Sequence, residues 1–309
     1  MMDKVIRKTL RKPKYQLDLP EIYDEYLNYY EKSRQVPCRH INSTRGVLVS
    51  FHDYLKKHKI GLPSLEIEQV DAFLSEFFKN LAPATQRSRR SMIRGFLRYL
   101  YHERRIIRRN LAPMVVGRRI YAKEKPPRFL RPREVQKLFA SLNLSSPRDI
   151  RTCAMVHLAY TMGLRPVEIS RITLDDISFS KGELTVRNRK NNHSMTLPVP
   201  ENTIKTIAVY IIGVRPESKH RTLFLSFYKP YGPLCSGTVV GYIGRCMKEA
   251  GLPGSAYWLR HTYAQNLLET GVSIYEIKEM LGHDTIESTR KYLHIHTQLM
   301  REVLFDETL

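Results

Sequence analysis

Apolar side chains recur at helical spacing through the first hundred residues. Residues 19–31 carry Ile22, Tyr26 and Tyr30 one turn apart, and residues 43–58 repeat the pattern with Val47, Phe51, Tyr54 and Leu55. A third stretch, 66–80, offers Ile67, Val70, Phe73, Leu74, Phe77 and Phe78. A fourth, 83–102, has Ile93, Phe96, Leu97 and Leu100 at the 0, 3, 4, 7 spacing of a core-facing stripe. Together they predict a four-helix bundle. The pattern then fails over 110–130, where Pro113, Pro126 and Pro127 fall among basic residues, and this segment reads as a linker. Beyond it, helical periods are predicted near 132–142 and 148–163, with Gly163 as a break and a short helix from Pro166. Residues 183–187 and 194–199 alternate as a β-hairpin. Further helices are expected near 202–213, 237–250, 260–270, 273–281 and 285–293. The chain therefore reads as mainly α with a small β-sheet. Its parts are a basic leader (1–15), a helical unit (16–112), a linker (113–130) and a second, α+β unit (131–309).

Charge sharpens this division. The 309 residues hold 51 Lys and Arg against 30 Asp and Glu, a net charge of +21. An excess this large points to a polyanionic partner, because neutralising phosphates releases counterions. Residues 1–130 hold 28 basic and 13 acidic residues, net +15, and residues 131–309 hold 23 and 17, net +6. The fourth helix carries Arg87, Arg90, Arg94 and Arg98 as a ridge away from its apolar stripe, and Arg104 and Arg105 follow directly. Like charges so close repel one another, and only Glu103 is acidic between 85 and 110. That one-sidedness favours phosphate contact over a merely solvated face. The four cysteines, Cys38, Cys153, Cys235 and Cys246, form no C-x-x-C pair and have no zinc-ligand spacing. They read as free thiols in a reducing compartment. No metal or cofactor is expected. The first residues lack the apolar run of a signal peptide, and no stretch approaches a membrane span. The expectation is a soluble cytoplasmic protein.

Four segments carry candidate chemistry. In Gly163-Leu164-Arg165-Pro166-Val167-Glu168-Ile169, Arg165 opens a helix, where a guanidinium adds to backbone donors for a phosphate, and Glu168 is placed to orient it. Residues 155–172 also fit a helix-turn-helix with Gly163 in the turn. Lys190 sits in the polar turn of the hairpin, where a lysine can protonate a leaving oxygen, although an ordinary polar turn looks the same. In Tyr257-Trp258-Leu259-Arg260-His261-Thr262-Tyr263-Ala264, a second arginine, Arg260, stands at an expected helix start. Trp258, the one tryptophan, defaults to core packing. Last comes Leu281-Gly282-His283, followed by Thr289, Tyr292 and His294. A free tyrosine is a poor nucleophile, with a pKa near 10, and needs cationic neighbours or a base.

Taken together, these segments resemble the tyrosine recombinases, also called phage integrases. The run LRHTYAQNLLETGVSIYEIKEMLGHDTIESTRKYLHIH matches the family's closing signature, GLRPVEI its first arginine box, and Lys190 stands eight residues before Pro198, as the family's hairpin lysine does. The resemblance covers roughly 16–300, looks Xer-like or integron-integrase-like, and fits a transposon-borne enzyme. It implies an N-terminal four-helix core-binding (SAM-like) domain followed by a catalytic domain. It also implies a double-stranded DNA recombination site as partner, a dimer on each site and a tetramer in the synapse. By this resemblance Tyr292 attacks the scissile phosphate and forms a 3′-phosphotyrosyl link without ATP or metal. Arg165 and Arg260 hold the non-bridging oxygens, Lys190 protonates the 5′ oxygen, and His283 takes or relays the Tyr292 proton. Glu168 supports Arg165. The family usually has histidine where this chain has Tyr257, which can still donate a hydrogen bond but does not become a cation near neutral pH. The tail with Leu299, Val303, Leu304 and Phe305 is expected to pack on a neighbouring protomer or on its own domain. Two other readings remain: a type IB topoisomerase, which rejoins the original strand, and a non-catalytic DNA-binding regulator on the same scaffold.

Overall fold

The computed structural model describes residues 19–36, 38–117, 127–187, 194–283, 285–290 and 292. Lys190, the expected linker's central part and the C-terminal tail lie outside them. The chain divides into two compact units, residues 1–122 and 123–309.

The first unit holds four helices: α1 (Glu21–Arg34), α2 (Cys38–Lys57), α3 (Ile67–Phe77) and α4 (Pro83–His102). Their apolar stripes meet in an aromatic core. Tyr23 stacks on Phe96 with ring centroids 4.8 Å apart, and Phe51 meets Phe73 at 4.9 Å. Ile93, Leu97 and Leu100 of α4 are fully buried against them. Gly95 lets α1 approach, since a Cβ there would lie 2.6 Å from the Tyr26 hydroxyl. Pro83 opens α4 at a position where its missing N–H costs nothing.

The second unit is built around α6 (Pro147–Thr161), which follows α5 (Pro132–Ala140). Ser146 caps α6 by accepting from the Asp149 N–H. Arg151, Thr152, Ala154, Met155, Val156, Leu158 and Ala159 are all buried, so this helix is covered on most of its faces and runs through the core. After α7 (Pro166–Arg171) come β1 (Ile177–Ser178), β2 (Glu183–Val186) and β3 (Met195–Pro198), an antiparallel sheet in chain order. Leu184 pairs with Leu197 and Val186 with Met195 across β2 and β3. On the other face Thr185 and Thr196 hydrogen-bond at 3.0 Å. The strand β1 was not expected, because two residues are too short to carry a period-2 signal. Then follow α8 (Glu201–Gly213), α9 (Ser236–Glu249), α10 (Ala256–Glu269), α11 (Ile274–Leu281) and α12 (Glu287–Arg290). The helices α8, α9 and α10 all pack on α6. Several boundaries differ from expectation, the start of α2 by five residues, at Cys38 rather than 43. Arg260 lies in the second turn of α10, not at its start, and Tyr292 follows α12 in a turn closed by its N–H on the Thr289 carbonyl at 3.0 Å.

Candidate active site

The site forms where the start of α7, the second turn of α10 and the end of α11 come together. Glu168 is its anchor. It is 5% exposed, and its carboxylate reaches back to the Arg165 N–H at 2.7 Å and takes the Arg165 guanidinium at 2.8 Å. Arg260 Nη1 lies 3.6 Å from its other oxygen. One buried carboxylate thus gathers two guanidiniums, which offsets much of the cost of burying either.

Backbone carbonyls fix the two arginines further. Arg260 donates to the Gly163 and Leu281 carbonyls, both at 2.6 Å, and Arg165 to the Gly282 carbonyl at 3.0 Å. Leu281 and Gly282 end α11, so both cations sit at the negative end of its dipole. Gly163 has φ +59°, and its turn aims its carbonyl at Arg260.

The end of α11 also places His283. Gly282 adopts φ +60°, its N–H bonds to the Glu279 carbonyl at 2.8 Å, and the His283 N–H bonds to the Lys278 carbonyl at 3.0 Å. This is the paired hydrogen-bond pattern that glycine permits at a helix end. His283 is buried, and its Nδ1 is hydrogen-bonded to Thr289 Oγ1 at 2.8 Å.

Tyr292 has no exposed surface and packs in a small cluster with Ala264, Ile277 and Leu281. Burial pushes its pKa up to about 12, against the opposing pull of Arg260 and Arg165. Its hydroxyl meets His261 Nδ1 at 2.7 Å. His261 was passed over in the sequence, where it looked like the neighbour of Arg260. Its one signal is a second titratable side chain on a helix otherwise read for Tyr263, Ala264, Leu267 and Leu268. Thr289 was noticed there only as part of a motif.

The remaining expected residues are placed as follows. Tyr257, in the first turn of α10, is about half exposed. Trp258 is partly buried in the main core, with Arg128 over its ring at 5.9 Å. In the first unit, Arg87, Arg98 and Arg105 are exposed, but Arg90 and Arg94 are partly buried. Arg90 covers the Phe78 ring at 4.9 Å, and Arg104 is paired with Glu25 at 2.7 Å and with the Tyr99 hydroxyl at 2.7 Å. The ridge is therefore not one continuous free surface.

Comparison with known proteins agrees with this architecture. Tyrosine recombinase XerD of Staphylococcus epidermidis is 27% identical over 295 residues, spanning 91% of this chain and 96% of that one. Tyrosine recombinase XerC of Caldanaerobacter subterraneus is 29% identical, spanning 93% and 87%. Among solved structures, XerH recombinase bound to a palindromic difH substrate in a post-cleavage complex matches with a TM-score of 0.74 at 20% identity, covering 91% of this chain and 84% of that one. A lambda integrase tetramer bound to a Holliday junction matches at 0.69 and 19%, covering 94% and 85%. At these identities the structural likenesses speak for the fold alone. The sequence profile of the phage integrase family matches residues 128–298, more than half the chain, so the chain belongs to that family, the tyrosine-type site-specific DNA recombinases. Among the described residues, no helix is long and apolar enough to cross a membrane.

Proposed function

We propose that Tyr292 is the nucleophile of a strand-transfer reaction on duplex DNA. Its oxygen attacks a scissile phosphate, forms a 3′-phosphotyrosyl bond and releases a 5′-hydroxyl. The observation that carries this reading is a tyrosine hydroxyl held within electrostatic reach of two guanidiniums that share one buried carboxylate. Arg165 and Arg260 neutralise the non-bridging oxygens as charge builds in the pentacoordinate transition state. Glu168 and the three carbonyls hold both planes in advance, so little reorganisation is left to the reaction. His283, fixed by Thr289, adds a hydrogen-bonding group beside the arginines, and Tyr257 offers a phenol from the first turn of α10. Lys190, outside the described residues, is the candidate donor to the leaving 5′ oxygen. The phosphotyrosine conserves the energy of the broken bond, so a partner strand's 5′-hydroxyl can reverse the step without nucleotide hydrolysis. We further propose a dimer on each site and a tetramer in the synapse, with the exposed arginines of α4 contributing phosphate contacts. Because Tyr292 is fully buried, productive DNA binding must carry its segment towards the phosphate.

Covalent trapping tests the reading. The protein is incubated with nicked duplexes tiled from the DNA flanking its own gene and resolved on a denaturing gel. A protein–DNA adduct lost in Tyr292→Phe and strongly reduced in Arg165→Ala is the expected result. Salt-sensitive binding with no adduct on any duplex would favour a DNA-binding regulator. An adduct that only reseals its own strand would favour a topoisomerase.

A further inference from the structure

The shortest polar contact of the Tyr292 hydroxyl described above is with a residue that the reading so far leaves without a task. His261 follows Arg260 on α10, and the two side chains diverge by about 100° around the helix axis. Arg260 turns to Glu168 and the two carbonyls. His261 turns to Tyr292, with ring centroids 5.6 Å apart at an interplanar angle of 57° and Nδ1 at 2.7 Å from the hydroxyl. The phenol is buried and neutral, and a neutral phenol is a better donor than acceptor. With the phenol as donor to Nδ1, the imidazole is the neutral tautomer that carries its own proton on Nε2. A neutral imidazole nitrogen already accepting the nucleophile's hydrogen is the arrangement a general base requires before the reaction starts.

We propose that His261 is the base that takes the Tyr292 proton during attack on the phosphate. The inference rests on the reading of Tyr292 as nucleophile. As the bond from Tyr292 Oη to phosphorus forms and the bond from phosphorus to the 5′ oxygen breaks, the hydroxyl proton passes to His261 Nδ1. The histidine becomes an imidazolium, and the leaving 5′ oxygen takes its proton from Lys190. In the return step the imidazolium gives the proton back to the tyrosine oxygen as that oxygen leaves phosphorus, and the incoming 5′-hydroxyl returns its proton to the lysine. Protons and charge balance over the cycle. His261 keeps its place beside Tyr292 if both rings move together, since the hydrogen bond and the ring contact link them. His283 is the rival base, and its ring is already hydrogen-bonded at Nδ1 to Thr289.

The experiment uses the full chain and the nicked duplex on which the wild type forms its Tyr292 adduct, in two versions. One carries the natural 5′ oxygen at the scissile bond, the other a bridging sulfur there. A thiolate leaves without being protonated, so sulfur rescues the loss of an acid but not the loss of a base. His261→Asn places an amide oxygen near the position of Nδ1 and keeps a hydrogen bond without basicity, and His261→Gln and His283→Gln are measured in parallel. General bases contribute roughly 100-fold or more. The expected result is a drop in the single-turnover adduct rate of about 100-fold for both His261 variants, on oxygen and sulfur alike. DNA affinity and melting temperature should stay near wild type, and His283→Gln should be affected less. A His261→Asn rate within threefold of wild type, a faster rate, or recovery on the sulfur duplex overturns the assignment. If His261→Asn unfolds, His261→Gln decides on the same terms. Absence of any Tyr292-dependent adduct with the wild type is a different failure, which removes the nucleophile reading and this inference with it.

Discussion

Gly163 carries more of the site than a glycine in a loop would suggest. Its φ of +59° suits a residue without a Cβ, its carbonyl accepts from Arg260 at 2.6 Å, and an added Cβ would lie 2.4 Å from the Tyr263 ring. Gly163→Ala should therefore combine left-handed strain of about 1–2 kcal/mol with a steric push on α10. The expected outcome is a melting temperature several degrees lower and a greater proportional loss of adduct formation. Unchanged adduct yield would mean that the carbonyl is not needed to hold Arg260. The cysteines give a second residue-level test. Burial pushes the thiols of Cys153 and Cys246 up to about 11, while the Thr238 hydroxyl and nearby backbone groups draw that of exposed Cys235 below its ordinary value. Thiolate is the reactive form, so at pH 7.5 iodoacetamide should modify Cys235 well before Cys153 or Cys246, as read by peptide mass mapping. Labelling of Cys153 without denaturant would contradict its burial. At this scale the sequence showed the reactive side chains but not what holds them. Arg165, Glu168, Arg260, His283 and Tyr292 stand out because their types and spacing carry chemistry. The carbonyls of Gly163, Leu281 and Gly282 have no signature, because every residue has one.

Between residues and whole units, α11 shows how a short helix can organise a site from one end. Ser273 caps its start, with its hydroxyl accepting from the Glu276 N–H and the Glu276 carboxylate accepting from the Ser273 N–H. Its other end holds Gly282 and, through two carbonyls, both arginines. Each end is worth about the same in helix stability, roughly 1 kcal/mol for the cap and 1–2 kcal/mol for the left-handed residue. They differ in what they position. Ser273→Ala and Gly282→Ala should lower the melting temperature by similar amounts, while Gly282→Ala alone should lower the adduct rate by tenfold or more. Equal loss of rate in both would mean that α11 matters only as a folded element. The long periodic helix α4 was legible at both ends, and α2 at its end but not at its start, which lies five residues earlier than expected. The shorter elements were less so. A 2-residue strand such as β1 has no period to read, and α10 begins four residues before Arg260 because Ala256 and Trp258 already face the core.

For the whole molecule, charge is the argument. The excess lies mostly in residues 1–130, net +15 from 28 basic and 13 acidic residues, and the fold decides which of those charges are free for a partner. Arg104 is occupied by Glu25 and Tyr99, and Arg90 lies over Phe78. Arg87 and Arg98 are exposed on α4. Composition could suggest a polyanion but could not sort these arginines, since pairing depends on which helix lies opposite. If DNA lies along α4, affinity for a duplex should fall steeply with salt, by about a thousandfold or more between 50 and 200 mM for six or more phosphate contacts. Arg87→Ala and Arg98→Ala should each flatten the log–log salt slope by about one and weaken binding alike on specific and random duplexes, because phosphate contacts carry no sequence information. Arg104→Ala should instead lower the melting temperature, with a smaller change in slope. Fluorescence anisotropy across a salt series separates the two. A slope unchanged in both Arg87→Ala and Arg98→Ala would move the phosphate contacts off this helix and onto other basic surface of the chain.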